Sequence, residues 1–349
     1  MTWQCLGPEG FGTYEVSWCS GRTQFSPSSG QPHGLLIPGF VDLHIHGAFG
    51  IDFMTAGSRD LTVLCERLAE LGYETFLPTT VAARAQDVLQ AVERLPEHPM
   101  IPGFHLEGPF LSPAFPGAQP PTAILDPIEA GPEWDEVFDH PKLRLVTLAP
   151  ERPGAPELIA RLASRGVVVS MGHTDATWME ARQGFAQGAR HTTHTFNAMR
   201  ALHHREPGAL GFALGEDRLY SELIYDRIHV SRAAAEVLVR CKPADRLLAV
   251  SDSSMATGLP DGSEVAMWGH RCVIHDGSVR LADGGSLAGS TITLYDAFRN
   301  MAADFGPEAA ILACCLNPRR ALGLTTEPRL YLEVDSRSFA IVQRHQVQH

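Results

Sequence analysis

From Ile37 onward the chain alternates between two textures. Short apolar and β-branched runs occur at 37–44, 75–81, 100–106, 143–149, 166–172, 191–196, 221–228 and 246–251. Between most of them, apolar residues recur every three or four positions, the period of a helix with one buried face. Leu61, Leu64, Leu68 and Leu71 keep that spacing and stop at Gly72; 156–165, 176–188 and 232–240 read the same way. Eight strands alternating with helices predict a (β/α)8, TIM-type barrel. A doubly wound open sheet is the main rival, but no GxGxxG follows any early strand.

The texture changes at both ends and once inside. Residues 1–36 are rich in Gly, Ser, Trp and Pro, and the tail "RLYLEVDSRSFAIV" is strand-like. They predict a small β-sandwich of 1–36 plus 325–349 beside a barrel catalytic domain of 37–324. Around 261–283, "DGSEVAMWGHRCVIHDGSVRLADGG" alternates β-patterning with DG and GG turns, which predicts a β-hairpin insertion.

In such a barrel the chemistry gathers at the C-terminal ends of the strands. There the chain reads "VDLHIHG", "FLPTT", "GFHLEGPF", "TLAPE", "VSMGHTD", "THTFNAM", "YDRIHV" and "AVSDSS". His44 and His46 lie two apart on an extended strand, so both imidazoles face one point. Neutral imidazole is the commonest side-chain metal ligand. Glu107, His173, His194 and Asp252 fall at the same rim. Each alone has an ordinary explanation, as a loop or helix cap or a core histidine. Their joint placement at one mouth points to a mononuclear or binuclear metal hydrolase. Asp252, beyond the histidines, is placed to take a proton from water and pass it to a leaving group. His191, His203, His204 and His270 lack this placement and are expected at surface or loop positions.

Charge and composition narrow the partners. The 349 residues carry a net charge of −12, a field that repels nucleic acid and anionic membrane. An anionic substrate therefore needs a local cationic pocket. No apolar run reaches the length of a bilayer span. Seven scattered cysteines with no CxxC argue for reduced thiols in a cytoplasmic protein. Lys142 and Lys242 are the only lysines, which disfavours Schiff-base, P-loop and kinase chemistry.

Nine stretches together carry a resemblance: "PGFVDLHIHG", "GYETFLPTTV", "HLEGPFLSP", "GHTDAT", "THTFNAM", "REPGALG", "SDSSMATGLPDG", "LAGST" and "NPRRALGL". From about Ile37 to Leu324 the chain resembles the amidohydrolase superfamily and, within it, the N-acetylglucosamine-6-phosphate deacetylases. The resemblance implies a metal-dependent barrel with a small β-sandwich. It implies that Glu107, His173 and His194 hold a principal divalent metal, that His44 and His46 contribute to a possible second, and that Asp252 is the acid/base. One or two ions are implied, and mixed imidazole and carboxylate ligands suit Zn, Fe, Mn, Co or Ni. The implied reaction removes the acetyl group of a phosphorylated amino sugar, releasing acetate. Substrate is implied near Ala118, Gln119, Asn197, Ala198, Arg205, His229 and the loop Leu287, Ala288, Gly289. Arg205 offers the fork that phosphate prefers, and a homodimer is implied.

Two positions depart from the family pattern. Gln119 stands where a histidine contacts the acetyl carbonyl, and Arg227 stands where glycine is common. Gln119 is expected to donate to that carbonyl instead. The alternatives are an amidohydrolase for another N-acyl sugar phosphate or N-acyl amine, or a non-catalytic sugar-phosphate-binding protein.

Overall fold

The computed structural model describes the chain except residues 20–21, 284, 325–326 and 348–349. Eight parallel strands form the barrel: Phe40–Ile45 (β1), Tyr73–Pro78 (β2), Phe104–Glu107 (β3), Leu143–Leu148 (β4), Val168–Met171 (β5), His191–Thr192 (β6), Tyr220–Ile224 (β7) and Leu247–Val250 (β8). β3 to β8 are hydrogen-bonded in chain order, and β1 pairs with β2. The ring closes at its C-terminal rim, where Thr80 N donates to His105 O at 3.0 Å and His46 N donates to Ser253 O at 2.9 Å.

Val41 and Leu43 of β1, Leu77 of β2, Leu145 of β4, Ile224 of β7 and Val250 of β8 form one buried cluster. Residues from strands so far apart in the ring meet only across its axis, so this is the barrel's filling. The β1–β2 pairing shifts register between Asp42 and Ile45. That irregularity lets a strand carrying Leu43 inward also turn His44 and His46 toward the mouth.

The helices bury the stripes that their spacing predicts. In Ser58–Glu70 the buried residues are Leu61, Leu64, Cys65 and Leu68. Each buried leucine contributes about 1.5–3 kcal/mol, an upper figure because the unfolded chain is itself partly compact. Trp178–Gln187 starts at a capping box in which Thr177 and Glu180 satisfy each other's backbone N–H.

Both chain ends build the small β-sandwich. Its six strands run in the order Ile341–Gln346, Leu330–Val334, Leu35–Pro38, Thr2–Gly7, Gly10–Cys19 and Arg22–Pro27. Trp18 stacks on His345 at 4.7 Å although their strands are far apart in that order, so the sheet folds over on itself. Trp3, Cys5, Tyr14, Val16, Leu36 and Tyr331 fill it. The strand Leu35–Pro38, which a boundary at 36/37 divides, lies wholly inside this sheet; position 325, the expected start of the tail segment, lies outside the described residues.

Glu264–Met267, His270–His275 and Ser278–Leu281 form a three-stranded antiparallel sheet where hairpins were expected. It packs over the rim through Met267, Cys272, Ile274 and Val279, which contact Ala118, Ala256 and Ala288. Among the described residues, no helix is long and apolar enough to cross a membrane.

Candidate metal centre

Glu107 ends β3 and stands between two groups of side chains. On one side, its Oε1 lies 3.2 Å from Nε2 of both His173 and His194, which are 3.1 Å from each other. On the other, its Oε2 lies 3.3 Å from His46 Nε2, and its Oε1 lies 3.5 Å from His44 Nε2. Asp252 Oδ1 completes the second group, 3.4 Å from His44 Nε2 and 3.3 Å from His46 Nε2. Both groups are buried.

The tautomers show what these nitrogens face. His173 Nδ1 donates to the Phe115 carbonyl at 2.9 Å, and His46 Nδ1 donates to the Thr79 carbonyl at 3.1 Å. A carbonyl only accepts, so in each neutral ring the proton sits on Nδ1 and Nε2 offers a lone pair. His173 Nε2 therefore turns that lone pair toward His194, as His46 Nε2 does toward His44. Two imidazole nitrogens and a carboxylate oxygen about 3.3 Å apart are the corners left by a four-coordinate ion with ligand bonds of about 2.0–2.1 Å. The residues fit a divalent metal.

The electrostatics ask for the same thing. Burial alone would lower the His44 and His46 rings, yet Glu107 and Asp252 raise both, His46 to about 9. Burial would raise Glu107 and Asp252, yet His44 leads the neighbours that lower both, Asp252 to about 2. Buried carboxylates hold out for positive charge here, which a divalent ion supplies.

Backbone strain aims these side chains. His173, His194 and Asp252 sit just past their strands at φ 46°, 30° and 48°, values that non-glycine residues rarely adopt. Gly117 allows the close approach, since a Cβ there would stand 3.0 Å from His173 Cε1.

A cavity of 440 Å³ opens over the two groups, lined by Ala118, Gln119, Asn197, Ala198, His229, Leu287 and Gly289 among others. Two expected contacts are not brought there. Ala288 is buried and packs with Met267 and Val279 beneath the hairpin sheet. Arg205 is exposed on a tight loop bridged by His203 and Glu206, its guanidinium 2.8 Å from His204. Among the described lining residues there is no arginine or lysine, and His229, 2.6 Å from Asp226, is the basic side chain outside the two groups.

Gln119 lines the cavity and also touches Glu107. Its Nε2 donates to Glu107 Oε2 at 2.5 Å and its Oε1 accepts from Ala82 N at 2.7 Å. One N–H and the amide oxygen are thus engaged by the protein, so the side chain holds Glu107 while lining the cavity. Arg227 occupies the left-handed φ of 67° that explains glycine there, and its Nε binds Asp304 at 2.7 Å.

Several residues around the centre escaped the sequence reading. His105 is fully buried with its ring 4.7 Å from His44, its Nε2 paired with Thr147 Oγ1 at 2.8 Å; burial and then His44 hold its pKa well below 6.5. Glu222 on β7 is buried with Oε2 3.5 Å from His44 Nδ1. A glutamate inside a buried strand run, "YSELIYD", was the available signal. His191, expected at the surface or in a loop, is a buried residue of β6.

Fold and centre together define a metal-dependent hydrolase of the barrel type. The model of the amidohydrolase family matches residues 35–327. N-acetylgalactosamine-6-phosphate deacetylase of Escherichia coli O157:H7 is 38% identical over 83% of this chain and 78% of its own length. N-acetylglucosamine-6-phosphate deacetylase of Bacillus subtilis is 37% identical over 76% and 69%. The crystal structure of N-acetyl-D-glucosamine-6-phosphate deacetylase from Mycobacterium smegmatis superposes with a TM-score of 0.87 at 30% identity, covering 99% of this chain and 98% of that one. The chain belongs to the amidohydrolase family, among its amino-sugar-phosphate deacetylases.

Proposed function

We propose that the cavity hydrolyses the N-acetyl group of N-acetylglucosamine 6-phosphate to glucosamine 6-phosphate and acetate, a step of amino-sugar breakdown. The observation that carries this reading is Glu107 shared between two buried ligand groups, with Asp252 at the cavity floor. Glu107, His173 and His194 would hold the principal divalent ion, and His44 and His46 with Asp252 a second; Zn, Fe, Mn, Co and Ni all suit these donors. A divalent metal bound there polarises the acetyl carbonyl and makes water a better nucleophile.

The chain's own residues do the rest. Asp252 accepts the proton of the attacking water and returns it to the sugar nitrogen as the amide C–N bond breaks. Gln119 fixes the Glu107 carboxylate. His229, with Asn197 and Ala198 of the same wall, recognises the phosphate, and Arg205 lies outside the cavity lining. Phe115, Pro116 and Leu287 supply apolar wall to the same cavity. We place the enzyme in the cytoplasm as a homodimer, from its cysteine usage and the family resemblance, with 37–324 as the catalytic unit.

The test is turnover of a panel of N-acyl hexosamine 6-phosphates, with metal measured on the same sample. The galacto epimer belongs in that panel because the relative at 38% identity carries that name. Preference for it over the gluco epimer would shift the substrate and leave the reaction intact.

A further inference from the structure

We propose that Trp268 sets the size of the acyl group the site accepts, by walling the reaction cavity off from a second cavity behind it. The inference rests on the deacylase reading above. Trp268 and Gly269 form the two-residue turn between Glu264–Met267 and His270–His275, with φ 55° and 81°. That turn favours glycine or asparagine at both positions, and a tryptophan at the first is an outlier.

The indole is pinned in place from three directions. Nε1 donates to Asp52 Oδ2 at 3.0 Å, and the ring meets His46 edge-on at 4.9 Å. Gly289 backs it closely, since a Cβ there would stand 3.4 Å from indole Cη2. A residue held this firmly in an unfavoured conformation points to a function for its side chain.

Trp268 lines the 440 Å³ reaction cavity and also a neighbouring cavity of 670 Å³. The second is walled largely by apolar side chains, Met54, Val81, Ala82, Met255 and Met267. Around the carbonyl, the sugar nitrogen lies on one side and the acyl chain on the other. The sugar and its phosphate are drawn toward Asn197 and His229, so the acyl chain runs toward the His46 side and ends against the indole. A methyl group fits in front of that wall, and a longer chain collides with it.

The experiment compares the parent, Trp268→Gly and Trp268→Phe on N-acetyl, N-propionyl, N-butyryl and N-hexanoyl glucosamine 6-phosphate. Glycine suits the left-handed turn and removes the wall, and phenylalanine keeps most of it. In Trp268→Gly the butyryl-to-acetyl ratio of kcat/KM should rise about tenfold or more, and in Trp268→Phe it should stay within about threefold of the parent. An unchanged ratio in Trp268→Gly, or an equal rise in both variants, overturns the proposal. A parent inactive on every acyl sugar would instead overturn the deacylase reading, and this inference with it.

Discussion

Gln119 donates its side-chain N–H to Glu107 Oε2 at 2.5 Å and receives the Ala82 backbone N–H at 2.7 Å on its other end. A carboxylate between two ligand groups has to be held at one rotation, and this amide holds it. Such outer hydrogen bonds are worth about 10–100-fold in metal affinity. Gln119→Ala should weaken metal retention by that amount. Metal content after graded dialysis against a chelator checks it, and retention equal to the parent's would contradict it.

His229 and Arg205 stand differently toward the cavity. His229 lines the cavity and pairs with Asp226, whereas Arg205 is exposed beside His204. Loss of a buried charge-assisted contact costs roughly 1.5–3 kcal/mol, or about one to two decades. His229→Asn should raise KM for the phosphorylated sugar by that factor and affect the unphosphorylated sugar less. Arg205→Ala should change KM by less than about fivefold, because exposed charges contribute little. A larger effect from Arg205 than from His229 would show that the 200–206 loop closes onto substrate.

Much of this centre was legible in the sequence. The HxH of β1 converges because side chains on a strand alternate, and each of the other candidate ligands follows a short apolar run. Other features were not. Arg205 follows a loop path that no local period encodes, and the commitment of Gln119 to Glu107 depends on β2 and β3 being neighbours in space. His191 opens the polar run "HTTHTF", where no apolar neighbour marks a buried face, and its burial follows from the flanking β5 and β7.

That burial has a consequence for acid stability. Desolvation lowers the His191 pKa from 6.5 to about 3. Above pH 6.5 the ring is neutral in folded and unfolded chains alike, so it adds no pH dependence. As pH falls from 6.5 toward 3, the unfolded chain takes up a proton that the folded chain refuses, and stability declines. The loss is on the order of a few kcal/mol. Urea midpoints between pH 7 and 4 should therefore fall more steeply for the parent than for His191→Gln; parallel curves would exclude the effect.

Glu74 of β2 forms a buried ion pair with Arg319 and accepts the backbone N–H of Leu330 at 3.1 Å and of Arg329 at 3.2 Å. It thus ties the barrel's N-terminal end to the sandwich. Glu74→Gln strands the Arg319 charge in the interior and should destabilise the protein by about 3–5 kcal/mol. Equilibrium unfolding measures this. A loss below about 1 kcal/mol would mean that Arg319 finds solvent or another carboxylate.

The most direct measurement is acetate released from N-acetylglucosamine 6-phosphate, with bound metal determined on the same samples of parent and Glu107→Gln. The parent should carry metal and release acetate together with an equal amount of free amine. Glu107→Gln, lacking the carboxylate that faces His173, His194, His44 and His46, should lose most of both. A metal-loaded parent that leaves the sugar intact, or a Glu107→Gln variant that keeps its metal and its turnover, would contradict the assignment.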